Sequence, residues 1–291
     1  MKIMKKVVLL ICIGSLFLLQ ACYEDYKEDY IYSATYFARQ YPIRTLVDEA
    51  DKDMTLEIGA VLGGKYSNDV NERASFIIQD TLLNADNYPQ FTKLPDNYYT
   101  LKSNDIVIPS GQFKGSTTMT INKDLFLNDP LAIGNNYALP IEMTESTADT
   151  ILHSKRYSVV VIKYFNQYHG WYYVKGVDTN TSDNTSVTYS NDDLVLNEDV
   201  LLQTTSKNEL TVPYVGNPDV SGRNMNFSID TDGSVIISED NVTGTSGTGS
   251  YDSNTRNFTL DYSYTDGDGA VHTVKDTLIY RNTELILEEW N

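Results

Sequence analysis

Cysteine is almost missing from this chain: only Cys12 and Cys22 carry a thiol, and both lie within the first 22 of 291 residues. Beyond them, disulfides, thiolate metal sites and cysteine nucleophiles are all excluded. Histidine is scarce too. His153, His169 and His272 lie far apart and fall in no metal or triad spacing. Basic residues are outnumbered, 22 against 40 acids, and form no local cluster. A surface of that sign repels phosphate backbones, so no nucleic-acid partner is expected. Long apolar runs are also missing: Val7 to Leu19 is too short to cross a bilayer comfortably, and no second run approaches spanning length.

That short run has a specific setting. Lys2, Lys5 and Lys6 precede it and Leu19-Gln20-Ala21-Cys22 follows it, the layout of a lipoprotein signal in which small residues precede the cut and a thiol takes the lipid. Residues 1–21 are read as the signal and Cys22 as the lipidated first residue, anchoring the protein in a membrane. Removing them takes away three lysines and no acid, leaving 270 residues with 40 acids against 19 bases, a formal charge of −21. Residues 22–29, Cys22-Tyr23-Glu24-Asp25-Tyr26-Lys27-Glu28-Asp29, lack apolar periodicity and read as an acidic tether. This tether resembles the stretch that follows the lipidated cysteine in Bacteroidetes lipoproteins exported to the outer face of the outer membrane. The resemblance implies an outer-membrane, outward-facing location.

What is abundant is tyrosine, 22 residues and all after Cys22, together with threonine, valine and isoleucine. These favour pleated, half-buried strands, and the composition predicts an all-β chain. Leu56, Ile58, Ala60 and Leu62 share one face of a strand that ends at Gly63-Gly64, and Phe76 and Ile78 repeat the period. Ile106-Val107-Ile108 stops at a Pro109-Ser110-Gly111 turn, and Met119 and Ile121 share a face in the next strand. Pro140, inside Tyr137 to Met143, predicts an edge strand or a bulge. Tyr157 to Tyr164 has the continuous apolar character of a buried strand, and only Asn122 to Asn128 reads as a helical turn. Seven or so strands over residues 30–165 predict a β-sandwich.

Asp80-Thr81-Leu82-Leu83-Asn84, Phe91 to Pro95, Tyr98-Tyr99, Ile106 to Gly111, Tyr137 to Ile141 and Tyr157 to Lys163 occur in an order that resembles an immunoglobulin-like domain of unknown function. That domain is abundant in Bacteroidetes surface lipoproteins and precedes the catalytic barrel of some family 18 endo-glycosidases. The resemblance implies association with glycan foraging and brings no catalytic residues.

Residues 166–291 form a second unit after the polar break Phe165-Asn166-Gln167-Tyr168-His169. Eight candidate strands joined by short polar turns, from Trp171 to Arg281, predict a meander that removes its edges by closing into an up-and-down β-barrel. This half resembles lipocalin-like domains. In lipocalins a glycine, one spacer and a tryptophan plug the closed end under an arginine from the last strand. Here Gly170 and Trp171 are adjacent, and Arg281 stands where the arginine is expected. The resemblance implies that Trp171 and Arg281 form that structural pair. By alternation Tyr173 then points inward and Tyr172 outward.

A sugar offers a flat C–H face that stacks on aromatic rings and hydroxyls that need polar partners. Tyr168, Tyr172, Tyr189, Tyr98 and Tyr99 are the candidate ligand-binding rings, with Trp290 a further exposed aromatic. No catalytic residue, cofactor or metal is expected. Asp266-Gly267-Asp268-Gly269 lacks the rest of a calcium loop. Asp80-Thr81-Leu82, Asp149-Thr150-Ile151 and Asp276-Thr277-Leu278 resemble the O-glycosylation signal of exported Bacteroidetes proteins. The functional expectation is a non-enzymatic, glycan-binding accessory of a polysaccharide-uptake system, with extracellular glycan and an outer-membrane transporter complex as its partners. Two alternatives stand beside it: a structural or adhesive surface protein such as a fimbrial subunit, matured by cleavage at Arg39 or Arg44, and a hydrolase.

Overall fold

A computed structural model of the chain describes residues 32–84, 86 and 88–290. Cys22 and the acidic tether lie outside the described residues. The first half contains β1 (Ala34–Tyr36), β2 (Pro42–Val47), β3 (Thr55–Gly63), β4 (Glu72–Ile78), β5 (Thr92–Lys93), β6 (Tyr99–Leu101), β7 (Asp105–Ile108), β8 (Lys114–Ile121), the one-turn helix α1 (Lys123–Phe126), β9 (Tyr137–Ser146), β10 (Thr150–Ile151) and β11 (Tyr157–Phe165). The second contains β12 (Gly170–Asn180), β13 (Ser186–Tyr189), β14 (Asp199–Ser206), β15 (Glu209–Val212), β16 (Met225–Ile229), β17 (Ser234–Glu239), β18 (Ser246–Asp252), β19 (Asn257–Thr265) and β20 (Val271–Asn282), followed by β21 (Glu288–Glu289).

One sheet of the sandwich runs β10-β1-β3-β8-β6 and the other β21-β2-β11-β9-β4-β7. Period-two alternation turns Leu56, Ile58, Ala60 and Leu62 of β3 onto Phe76, Ile106, Met119, Leu139 and Ile162, and these side chains form the core between the sheets. Pro140 is a correction to the sequence reading: β9 is an inner strand, between β11 and β4. It tolerates proline because the partner on one side of β9 changes there. Gln79, just past the end of β4, donates to the Pro140 carbonyl, while β5 pairs beyond it at Tyr137 and Ala138. The missing N–H therefore falls at a gap in the ladder.

In the second half, β12 and β14 to β20 form a continuous antiparallel meander, and β12 pairs along its length with β20 to close an eight-stranded barrel; β13 pairs with Gly176–Thr179 on the edge of β12 that β14 occupies at Gly170–Tyr173, and so extends the wall at one end. The fold class is all-β, a sandwich followed by a closed barrel. Leu202, Leu210, Phe227, Ile237, Phe258, Leu260 and Val274 point inward and pack as one core.

The chain then returns. Beyond β20 it leaves the barrel, and β21 pairs antiparallel with β2 at the edge of the sandwich. Trp290 packs edge-on to Tyr41, Tyr88 and Phe91, with ring centroids 4.7–4.8 Å away, and its Nε1 donates to the Val159 carbonyl at 2.9 Å. The aromatic treated as an exposed candidate is thus packed on the sandwich.

Candidate functional site

The two ends of the barrel differ, and the first strand decides how. In β12 Gly170, Tyr172 and Val174 are buried, while Trp171 and Tyr173 lie half-exposed on the outside. This reverses the orientation expected from the lipocalin comparison. The missing spacer explains it: shifting an aromatic by one residue along a strand moves it to the opposite face. Tyr172, two residues after Gly170, is the aromatic that enters the interior. Its hydroxyl donates to the Tyr168 carbonyl at 2.8 Å, and its ring packs on Phe258 and Tyr280. Burial pushes the Tyr172 phenol far above its ordinary pKa, so it stays neutral.

The arginine of this end is not Arg281. Arg281 sits over the outward ring of Tyr173, 5.8 Å to the centroid, and pairs with Asp199. Arg256, which precedes β19 and has a φ of 61°, lies 3.7 Å over Tyr280 and donates to the Gln167 carbonyl at 2.8 Å. It fastens the plugged end to the segment that enters the barrel.

At the opposite end a polar network is buried. Asp276 accepts from the hydroxyls of Tyr189 at 2.6 Å, Tyr262 at 3.0 Å and Tyr214 at 3.1 Å. Asp178 accepts from Tyr264 at 2.7 Å and bonds His272 Nδ1 at 2.7 Å, while His272 Nε2 reaches Asp266 at 3.3 Å. Gly176 makes room for the Asp276 carboxylate, since a Cβ there would come within 1.9 Å of its Oδ1. Gly216, at φ +69°, passes so close that its N–H donates to the Tyr262 hydroxyl at 2.9 Å. Burial, and then the neighbouring Asp178, push Asp276 up to about 6 against the pull of the three phenols. Tyr214 and Val215, fully buried, close this end. The network braces the barrel, and its carboxylates are occupied by their own phenol and imidazole partners.

The candidate tyrosines therefore occupy separate, mostly structural places. Tyr168 and Tyr172 are buried at the plugged end, and Tyr189 is tied to Asp276 at the other. Tyr98, in the sandwich, donates to Asp129 at 2.9 Å beside Tyr137, and Tyr99 is half-buried with its hydroxyl 3.5 Å from Asp96. They form no common platform.

The platform lies instead where the two units meet. Turning Trp171 outward places it in a cleft of about 410 Å³ with Phe165, Leu201, Ile133, Leu285 and Ile286 as apolar wall and Gln203, Thr204, Glu284 and Glu288 as polar groups. One face of Phe165 is taken by His169, stacked at 3.6 Å. His169 Nδ1 accepts from the Thr204 N–H at 3.2 Å, which fixes the proton on Nε2. Burial, then Lys163, push its pKa down to about 4, so the ring is neutral. Leu285, Ile286 and Leu287, on the return to β21, are more than half exposed beside the cleft. Sequence reasoning missed this site because Trp171 was assigned to the barrel interior. The apolar triplet between Glu284 and Glu288 was the available signal.

Among the described residues no group of three or more His, Cys, Asp or Glu side chains is arranged to hold a metal ion. No helix of the described residues is long and apolar enough to cross a membrane.

A family model described as an N-terminal domain matches residues 27–150, and one described as a C-terminal domain matches residues 156–279. No curated protein matches the chain. A crystal structure of a protein of unknown function from Bacteroides ovatus is 24% identical, with a TM-score of 0.72 over 88% of this chain and 98% of that one. The two share their fold through both units. An auxiliary nutrient binding protein from Bacteroides thetaiotaomicron is 14% identical over 81% of this chain and 89% of that one, but its TM-score of 0.41 leaves it without weight for this chain.

Proposed function

We propose that the protein, whose residues 27–150 and 156–279 match the N-terminal and C-terminal family models, is a surface-anchored, non-enzymatic accessory that binds glycan for a polysaccharide-uptake system. The lipoprotein signal ending at Cys22 supports the anchor, and the acidic tether supports outward display, where an outer-membrane transporter would be the partner. The observation that carries the binding is Trp171. Its half-buried indole stands in a cleft beside Gln203 and Glu284, with Glu288 held by Lys163 at 2.9 Å, which supplies both the C–H stacking face and the hydrogen-bonding groups a sugar ring requires. Glycan enters as ligand, with no bond made or broken.

Affinity electrophoresis of the mature chain, residues 22–291, through gels holding a panel of neutral polysaccharides tests the reading. Retardation by at least one polysaccharide, relieved by Trp171→Ala, is expected. Unretarded migration in every gel overturns it. Palmitate labelling in the native host tests the anchor, and label retained in Cys22→Ala would remove it.

A further inference from the structure

Part of the β3 edge of the sandwich is left open, because β1 covers it only at residues 61–63. The register of β3 on β8, with the bonds from Leu62 N to the Phe113 carbonyl and from Ile121 N to the Met54 carbonyl, aims the even-numbered backbone groups of β3 at β8. The odd-numbered groups face the other way. At Val61 and Gly63 they meet Tyr36 and Ala34 of β1, but the chain leaves that edge after Tyr36, and Phe37 N donates instead to the Lys155 carbonyl. The N–H and C=O groups of Glu57 and Gly59 therefore have no strand beside them among the described residues.

Along this edge runs a groove of about 470 Å³ between the sheets, with Leu56, Ile58 and Val160 in its wall and Arg39, Arg44 and Lys114 on its lining. Arg44 shares the inward face of β2 with Leu46, whereas Ile43 packs on the outer face. Arg39 is paired with Glu289 at 2.6 Å, but neither Arg44 nor Lys114 has a carboxylate within ion-pair distance among the described residues. Burial and the nearby Arg39 lower the Arg44 pKa. Glu57 turns its carboxylate to accept from Thr118 at 2.8 Å. In a chain with a formal charge of −18, two unpaired cations beside free backbone groups are a recognition feature.

We propose that this groove takes an extended acidic peptide as an added strand on β3, and that its occupant is the segment Tyr23–Ile31 of a second copy of the chain. The backbone of Glu57 and Gly59 supplies main-chain hydrogen bonds, which favours a peptide over a sugar. The segment carries Glu24, Asp25, Glu28 and Asp29 against one lysine, opposite in sign to Arg44 and Lys114. A second copy delivers it more simply than the same chain does. The segment leads directly into β1, which holds the β3 edge at residues 61–63, and following β1 backward moves away from Glu57. The same chain would have to reverse direction to reach the groove. Each copy then offers one segment and one groove, a head-to-tail contact.

Sedimentation velocity of the mature chain with Cys22→Ser tests this, together with fluorescence anisotropy of a labelled synthetic peptide of residues 23–31. Concentration-dependent self-association, competed by the peptide and weakened about tenfold by Arg44→Glu but not by Arg44→Lys, is expected. Replacing the four acids of the peptide by Asn and Gln gives a matching loss that is independent of how Arg44→Glu folds. A monomer at all concentrations with no peptide binding overturns the proposal. Binding of polygalacturonate through Arg44 in place of the peptide also overturns it and assigns the groove to an acidic glycan.

Discussion

Tyr189, on the added strand β13, donates a 2.6 Å hydrogen bond to Asp276 on β20, across the intervening β12. Gly176 of β12 leaves the space through which the two side chains meet. The bond ties the short strand β13 to the buried network of the barrel.

Because Asp276 is raised to about 6 from its ordinary 3.8, the folded barrel holds this proton more tightly than the unfolded chain does. Its contribution to stability is therefore greatest at low pH, falls as pH rises from about 4 to about 6, and is flat above. A shift of this size corresponds to roughly 3 kcal/mol. Denaturant unfolding of Asp276→Asn should lack this decline, and identical wild-type and variant profiles between pH 4 and 7 would refute the assignment.

His169 acts in the opposite direction. Its folded pKa of about 4 lies below the ordinary 6.5, so the unfolded chain takes the proton first. The stability it provides is complete above about pH 6.5 and is lost as pH falls toward 4. His169→Asn, which keeps an acceptor for the Thr204 N–H, should reduce the acid sensitivity of the seam between the units. Limited proteolysis of the Thr283–Leu287 return at pH 4.5 reads this, with slower cutting expected in the variant.

Arg256 and Arg281 should differ in thermal melts. Arg256→Ala loses the stack on Tyr280 and the bond to Gln167, a cost of about 1–2 kcal/mol. Arg281→Ala loses a half-exposed pair with Asp199 and a distant contact with Tyr173, a cost below about 1 kcal/mol. The reverse order would restore Arg281 as the arginine of the plugged end.

Trp290→Ala should destabilise the sandwich by roughly 2–3 kcal/mol, because three aromatic contacts and the bond to Val159 are lost together. Chemical denaturation followed by tyrosine fluorescence measures it. An unchanged midpoint would show that the return strand adds nothing to the sandwich.

The scarcity of cysteine, the tyrosine-rich composition and the period-two runs from Leu56 to Leu62 and from Asn257 to Thr265 determined an all-β chain held by packing, because alternation is a local property of each strand. The closing of the meander was legible for the same reason, since short turns between successive strands leave closure as the simple way to remove edges. Only the tertiary structure decided which face of β12 became the interior. That choice depends on a one-residue register between Gly170 and the barrel floor, and it sent Tyr172 inward and Trp171 into the cleft. It also decided that residues 283–290 return to the sandwich, that Asp276 gathers Tyr189 and Tyr214 from 87 and 62 residues away, and that β3 keeps an open edge beside Arg44. Each is a contact between segments far apart in the chain, and sequence periodicity holds no record of which distant partner a residue will meet.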